Sequence, residues 1–439
     1  MRVRPSRAGA FLAGLGFVFS GPLTSANGHS GPTVPAESSS AFALSPTHAE
    51  PPSPLAFAPA LSPSQDVLLL PGDNRPTPTP TIVGATMAPG VSPAAIGAVL
   101  LDPKSLQDAL PSLVRADVIQ TRPHSSPRRS TQSIPDRLLS WEIEIPFFNL
   151  TGKAWLKHDD NVIELSLIEG AFAPGTIRFR PVWHAAWGAT ILSCESRVDF
   201  RSANWLIRRL SRHDPWAETA MAAAANWVLL RAVAMTAANH ERGLPRSPRG
   251  AIGAPAPATI TSASLMTPEL APLRAMGTVA LVRLNSTGRL AFASVSKSIA
   301  PLDDTWRQLE TTPEMWSAFP GWKLVQRKLI DGEERFEVKD DIAFVDLSAT
   351  WRLLPEPPTR RRGAAQAIDG ALTGAVLSWE IFDEDRRRAA LSLSMHPRLD
   401  GAGIIPRRMI AYEPLLEHAL ALAMTYADFA ATVDSLSRH

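Results

Sequence analysis

The feature that most constrains the fold of this chain is an internal repeat. Residues 207–218 align without a gap on residues 406–417, and in each copy an Arg pair stands six residues before an acidic residue that is followed by proline. A Glu and a long apolar segment come next in both copies. Upstream, Ala109-Leu-Pro111 matches Ala318-Phe-Pro320, so the correspondence spans most of both units if a modest length difference is allowed. Such self-similarity predicts a duplicated domain.

Composition limits the classes of function open to the chain. Its 439 residues are 45% hydrophobic, enough to build two ordinary cores. The formal net charge is only +2, so the charge balance gives no support to nucleic-acid binding, and we expect no nucleic-acid partner.

The sequence predicts an exported protein with two domains. Three arginines precede an apolar run at residues 8–19 that is too short to span a bilayer, so we interpret residues 1–26 as a signal peptide and expect a periplasmic or secreted protein. A short uncleaved anchor and a misassigned start are the alternatives. Pro-rich composition predicts a disordered tether over 27–80 and a linker over 241–277, with domains at 81–240 and 278–439. Inside the tether, the apolar residues 67–70 fit a docking strand or a chance run equally well.

Each copy has the same predicted order of elements: a strand, two small helices, several strands and a long helix. Alternation supports the strands; Trp141, Ile143 and Ile145 would share one face, with Glu142 and Glu144 on the other. Ser92 and Pro93 mark the start of a helix as N-cap and first residue. The order implies an α+β fold with an antiparallel sheet folded around one helix.

The closing helices are apolar around much of their circumference. In the first copy Met221, Ala224, Val228 and Met235 form one stripe, which Trp227 and its neighbours widen. A surface helix has a narrower apolar face, so we expect these helices to be covered on two or three sides.

Taken together, the element order, the Ala109-Leu-Pro111 and Ala318-Phe-Pro320 segments and the proline before each closing helix resemble the START-like helix-grip superfamily, which includes polyketide cyclases and coenzyme-Q-binding proteins. The resemblance covers about 81–240 and 281–436. It implies two tandem helix-grip domains, each a curved antiparallel sheet around a long C-terminal helix, with a deep cavity for an apolar or amphipathic molecule. It transfers no catalytic residue.

Large side chains on the strands and closing helix of the first copy independently favour an apolar pocket. A solid aromatic core is the alternative for any one of them. The candidate ligand-binding residues are Trp141, Phe147, Trp155, Phe172, Phe179, Trp183, Trp187, Met221, Trp227 and Val228. The second copy has fewer rings, so the first is the better candidate for binding.

Residues able to carry out chemistry are sparse. The ten histidines show no metal-ligand spacing, and there is no nucleophile elbow, phosphate loop or dinucleotide fingerprint, so we expect no metal, no cofactor and no catalytic constellation. Cys194 reads as a buried structural thiol. His184 and His396 are the histidines expected nearest a cavity mouth, and a structural role is the favoured interpretation for each. Arg360 to Arg362 fit a solvated loop or a peripheral contact with anionic lipid headgroups.

The leading hypothesis is a non-enzymatic binding protein that holds a lipid, quinone or polyketide-like molecule. The alternatives are a cyclase or dehydratase with His184 or a strand carboxylate as acid/base, and an interaction protein whose cavities have filled in.

Overall fold

The computed structural model describes residues 52–71, 79–110, 112–123, 134–145, 148–203, 208, 216–243, 268–284, 290–299, 322–330, 333–342, 345–354, 362–385, 388–396 and 414–438. The predicted signal peptide, Phe147, Arg360 and Arg361, and the short helices predicted over 301–318 lie outside the described residues.

From β2 onward, the first half has the predicted order of elements. A 3₁₀ helix, Pro54–Ala60, precedes the strands β1 (Gln65–Pro71) and β2 (Thr81–Pro89). Two short helices follow, α1 (Pro93–Leu101) and α2 (Pro103–Ala109). The next strands are β3 (Leu113–Arg122), β4 (Asp136–Ile145), β5 (Phe148–Asp159), β6 (Val162–Gly170), β7 (Phe172–His184) and β8 (Ala189–Asp199). The long helix α3 (Ala217–Glu241) closes the half.

The second half repeats this arrangement of strands and closing helix. It begins with the short helix α4 (Ala271–Met276) and the strands β9 (Gly277–Leu284) and β10 (Leu290–Ile299). Six strands follow: β11 (Trp322–Ile330), β12 (Glu333–Ile342), β13 (Val345–Leu354), β14 (Arg362–Gly370), β15 (Val376–Asp385) and β16 (Arg388–His396). The helix α5 (Pro414–Arg438) ends the half.

The strands of both halves join into one antiparallel sheet. Its order is β11-β12-β13-β14-β15-β16-β10-β9-β1-β2-β8-β7-β6-β5-β4-β3. Read outward from the β1–β9 pair, the order of strands is the same in both directions, as a duplication requires. The two halves are therefore connected through a continuous sheet, an arrangement that the sequence did not indicate.

The prediction of a disordered tether over 27–80 is wrong for its C-terminal part. β1 pairs with β2 on one side and, from Gln65 to Pro71, with β9 on the other. Val67 and Leu69 pack on one face of the sheet and Leu68 and Leu70 on the other, and all four are buried. Burial on both faces explains why this strand is a short continuous apolar run without alternation.

The predicted linker over 241–277 is also wrong at its end. Residues 268–276 form a 3₁₀ turn and α4, whose Leu270 and Leu273 pack with Val279 and Leu281 of β9. Arg274 is buried and forms an ion pair with Glu384. This segment covers the outer face of the central strands and belongs to the folded unit.

The sequence pattern does not predict strand β14, because this segment is rich in alanine, a residue with low strand propensity. Here the small side chains match large neighbours: Ala367 pairs with Trp351, and Gly363 pairs with Trp379. A Cβ at Gly363 would lie 2.2 Å from Cζ2 of Trp379, so the glycine leaves the space that the indole ring fills.

The start of α1 is as predicted. The Ser92 side chain caps α1 by accepting a hydrogen bond from the Ala95 amide at 3.1 Å, and Pro93 is the first helical residue. Asp102 caps α2 by accepting from the amides of Lys104 and Ser105.

The closing helices are covered on several sides, as their wide apolar surfaces predicted. α3 packs against β2, β8, α1 and α5, and α5 packs against β10, β16 and α3. The contact between α3 and α5 makes the apolar core continuous across the two halves.

A pair of equivalent glycines marks the repeat within the sheet. Gly170 ends β6 with φ +88°, and Gly370 ends β14 with φ +90°. The amide after each glycine donates to a neighbouring strand: Ala171 to the Thr151 carbonyl and Ala371 to the Ser348 carbonyl. Residues 168–172 read Ile-Glu-Gly-Ala-Phe and residues 368–372 read Ile-Asp-Gly-Ala-Leu, so these segments are a further match between the two copies.

An ionic cluster lies on β5, β6 and β7, centred on Glu164. This carboxylate accepts hydrogen bonds from Lys157 Nζ at 3.2 Å, Ser166 Oγ at 2.5 Å and Arg178 Nε at 2.8 Å. Partial burial acts to raise the pKa of Glu164, but these hydrogen bonds outweigh it and lower the pKa to about 2.

Acid is therefore expected to remove the contribution of Glu164 to stability. Because its pKa in the folded protein lies below the ordinary value of 4.5, the contribution is complete above about pH 4.5 and is lost as the pH falls towards 2. Glu164→Gln should cost about 1 kcal/mol at pH 7, and the difference from the wild type should vanish near pH 2. Denaturant unfolding across this pH range measures it, with the exposed Glu169→Gln as control; a pH-independent difference would contradict the assignment.

Candidate functional site

A cavity of about 160 Å³ lies in the first half, between the sheet and α3. Strands β3 to β8 form one wall, α3 forms the other, and α2 with the turn after it contributes to an end. The lining residues are Leu106, Leu110, Ser112, Leu113, Ala116, Leu139, Trp141, Ile143, Ala154, Leu165, Leu167, Phe172, Ile177, Phe179, Ser196, Val198, Phe200, Ala222, Ala225, Asn226, Val228, Leu229 and Val233.

Three aromatic rings form a connected part of this wall. Trp141 and Phe172 are nearly parallel, with ring centroids 6.2 Å apart, and Phe172 meets Phe200 edge to face at 5.1 Å. Phe172 has φ +67°, a left-handed conformation that is strained for a bulky residue. Its ring is thus held in the cavity wall at a conformational cost of about 1–2 kcal/mol.

Asn226 is the most constrained polar side chain of the lining. It is 1% exposed, and its Nδ2 donates to the Cys194 carbonyl at 3.0 Å and to Ser196 Oγ at 2.9 Å. A Cβ at Gly84 would lie 2.3 Å from Asn226 Oδ1, so glycine in β2 is needed for this close approach. These contacts anchor α3 to β2 and β8 and turn the amide towards the sheet.

Few polar side chains line the cavity. Ser112, Ser196 and Asn226 are the polar members, and no acid, base or cysteine occurs among the described residues that line the cavity. The arrangement can enclose an apolar molecule, but it presents no described group to give or take a proton.

Four of the predicted ligand-binding residues line the cavity. These are Trp141, Phe172, Phe179 and Val228. Trp141, Phe172 and Phe179 lie on β4 and β7, which belong to the strand wall, and Val228 lies on α3.

Trp155 lies on the opposite face of the sheet from the cavity, contrary to expectation. Its neighbours in β5, Ala154 and Leu156, are buried, and Ala154 lines the cavity, so the alternation of the strand turns Trp155 away. The Arg122 guanidinium stacks on the Trp155 ring at 3.8 Å.

Trp183 and Trp187 also lie away from the cavity. They stand at the turn between β7 and β8, with 46% and 40% of their surfaces exposed. The His184 ring packs against Trp187 with centroids 4.1 Å apart, and neither His184 nor His396 lines the cavity.

Met221 and Trp227 are fully buried in the core, and neither lines the cavity. Trp227 connects the two halves: its Nε1 donates to Asp66 Oδ2 at 2.9 Å, and its ring stacks on His418 of α5 at 5.3 Å. Asp66 also accepts from Thr86 Oγ1 at 2.5 Å and pairs with Arg231 at 3.5 Å. This polar cluster is therefore part of the joint between β1, β2, α3 and α5.

Cys194 is fully buried, as predicted. Burial, and secondarily the charge of Glu195, raise the pKa of its thiol, which keeps it protonated and unreactive at neutral pH.

Sequence reasoning missed the aliphatic and small members of the lining, such as Leu139, Leu165, Ala222 and Ala225. The available signal was alternation: Leu139 shares the period-two face of Trp141 in β4. Nothing in the sequence separates these side chains from ordinary core residues.

In the second half, the described large rings lie in the apolar core. Phe336, Trp351, Trp379 and Phe429 are all buried in one cluster with the apolar residues of α5. The cavity in the first half is thus the candidate site.

Two other features bear on the kind of protein. No group of three or more His, Cys, Asp or Glu residues suited to a metal ion occurs in the described ranges. Within the same ranges α3 is long and apolar enough to cross a membrane, but most of it is buried inside the protein, which is typical of a core helix.

No protein-family model matches the chain, and no curated protein matches it in sequence. Solved structures similar to it include two di-domain ARO/CYC proteins. StfQ from the steffimycin biosynthetic pathway is 11% identical, covering 77% of this chain and 97% of that chain, with a TM-score of 0.24. BexL from the BE-7585A biosynthetic pathway is 10% identical, covering 79% and 98%, with a TM-score of 0.25.

A START superfamily protein from Mycobacterium smegmatis is 15% identical and covers 35% of this chain and 96% of that chain, with a TM-score of 0.25. As in the order predicted for two tandem helix-grip units, both halves place a run of antiparallel strands before a long closing helix.

Proposed function

We propose that this chain is a non-enzymatic binding protein with two helix-grip units, and that the first unit encloses an apolar small molecule between its curved sheet and α3. The observation that carries the proposal is the apolar cavity. Concave, largely apolar pockets with a few placed polar groups are the usual form of small-molecule sites.

The lining favours binding over catalysis. A cyclase or dehydratase needs an acid or base within reach of its substrate. The candidate histidine, His184, lies at the β7–β8 turn. Glu164 accepts hydrogen bonds from Lys157, Ser166 and Arg178. The described lining residues instead offer contact area and exclusion of water, which suit a carrier.

Native mass spectrometry and organic extraction of the purified full chain test the proposal. We expect an apolar compound to be recovered, or to be taken up on incubation, at one molecule per chain. Ala225→Leu should reduce uptake at least tenfold, because Ala225 lines the cavity and the longer side chain would fill it.

The matched control is Ala238→Leu, a half-buried alanine on the same helix that lies outside the lining. If the wild type holds and takes up no apolar compound, or if both variants lose uptake equally while remaining folded, the proposal is wrong.

We further propose that the protein is exported and works in the periplasm or outside the cell, since residues 1–19 are basic and then apolar in sequence. The mass of the mature protein recovered from a secreting host should correspond to cleavage near Ala26. An uncleaved chain retained in the cytoplasm would overturn this part.

A further inference from the structure

The dimensions of the cavity narrow the class of ligand, an inference that rests on the proposed function. Its volume is about 160 Å³. An engineered apolar cavity of about 150 Å³ in another protein takes up benzene or xenon. We infer that the ligand, or the part of it that enters the cavity, is a compact hydrocarbon group about the size of one substituted ring.

The polar atoms of the wall point to a ligand without hydrogen-bonding groups. Asn226 Nδ2 is committed to the Cys194 carbonyl and to Ser196 Oγ. The Asn226 Oδ1 and Trp141 Nε1 atoms are themselves buried within the wall and have no partner among the described residues. Ser112 and Ser196 carry the remaining polar side chains of the wall. A ligand hydroxyl beyond the reach of these two serines would lose its water without a replacement, which lowers affinity by about tenfold or more.

The shape of the wall suits a flat group. The stacked Trp141 and Phe172 rings line the cavity from the strands, and Val228 and Leu229 line it from α3. A ring between these surfaces contacts apolar atoms on both faces. A long acyl chain or a fused three-ring system is longer than one ring, so part of it would remain outside a cavity of about 160 Å³.

The test is a ligand panel added to the full chain: toluene, phenol, anthracene and dodecane, with binding followed by native mass spectrometry and thermal unfolding. We expect toluene at about a hundred times its dissociation constant to raise Tm by about 5 °C. Phenol, which is similar in size to toluene, should bind at least tenfold more weakly. Toluene binding should be lost in Ala225→Leu and retained in Ala238→Leu.

Each outcome separates this inference from the proposed function. If anthracene or dodecane binds as tightly as toluene, the size limit is wrong while the binding function stands. If phenol binds as well as toluene, the wall recognises a polar group and the inference is wrong on that point. If no panel member binds and no apolar compound is recovered from the purified chain, the proposed function itself fails.

Discussion

Replacing Gly170 with alanine is expected to destabilise the protein by about 3 kcal/mol or more. The new Cβ would lie 2.1 Å from the Thr151 carbonyl oxygen and 2.6 Å from the Gly152 Cα, and both are backbone atoms that cannot rotate away. The Thr151 carbonyl is also held by the Ala171 amide at 2.9 Å, so relief would require breaking that hydrogen bond. Urea unfolding followed by tryptophan fluorescence measures the loss.

Gly90→Ala is the matched control. Gly90 has φ +68°, but no atom lies within 4 Å of its added Cβ, so this variant reports the backbone strain alone, about 1–2 kcal/mol. Gly370→Ala should behave like Gly170→Ala, because its Cβ would lie 2.1 Å from the Ser348 carbonyl oxygen. A Gly170→Ala variant no less stable than Gly90→Ala would refute the steric explanation and weaken the equivalence of the two glycines.

Asp66→Ala is expected to cost about 3–5 kcal/mol, because it removes one member of a buried charge pair. Asp66 is 1% exposed, and its loss leaves Arg231 without this carboxylate and Trp227 Nε1 without its acceptor. Since β1 lies between β2 and β9, the loss should also loosen the joint between the halves. Denaturant unfolding gives the energy, and limited proteolysis reports the joint.

Two variants make the Asp66 experiment specific. Asp66→Asn keeps the shape and an acceptor for Trp227 but removes the charge, so we expect an intermediate loss. Asp117→Ala removes a carboxylate whose side chain is 63% exposed, and it should change stability by less than about 0.5 kcal/mol. Equal losses in Asp66→Ala and Asp117→Ala would show that the buried cluster contributes little.

Much of the secondary structure follows from local pattern. The strands from β3 to β8, the caps at Ser92 and Asp102 and the burial of α3 all depend on neighbours in sequence, so alternation, capping residues and apolar width predict them. β1 and β14 were not predicted from local pattern, for two different reasons. β1 is a short apolar run within Pro-rich sequence, and β14 is too rich in alanine to resemble a strand until its large neighbours are known.

The candidate site could be predicted only in part. An excess of rings on strands indicated a pocket, and Trp141, Phe172 and Phe179 lie in its wall. Trp155 was misplaced because the side of the sheet that a residue faces depends on the pairing of its strand, and a shift of one residue reverses it. Trp183 was misplaced because the strand carries it beyond the cavity to the β7–β8 turn.

By itself the sequence determined the duplication, the order of elements from β2 to α3 in the first half and the apolar character of both closing helices, because each of these depends on local spacing. Only the tertiary structure decided that β1 and β9 join the halves into one sheet and that a cavity of about 160 Å³ remains in the first half. It also decided that Phe336, Trp351, Trp379 and Phe429 pack into the core of the second half. Strand pairing and cavity volume depend on contacts between residues far apart in the chain, and no local pattern records how completely those side chains fill the space between them.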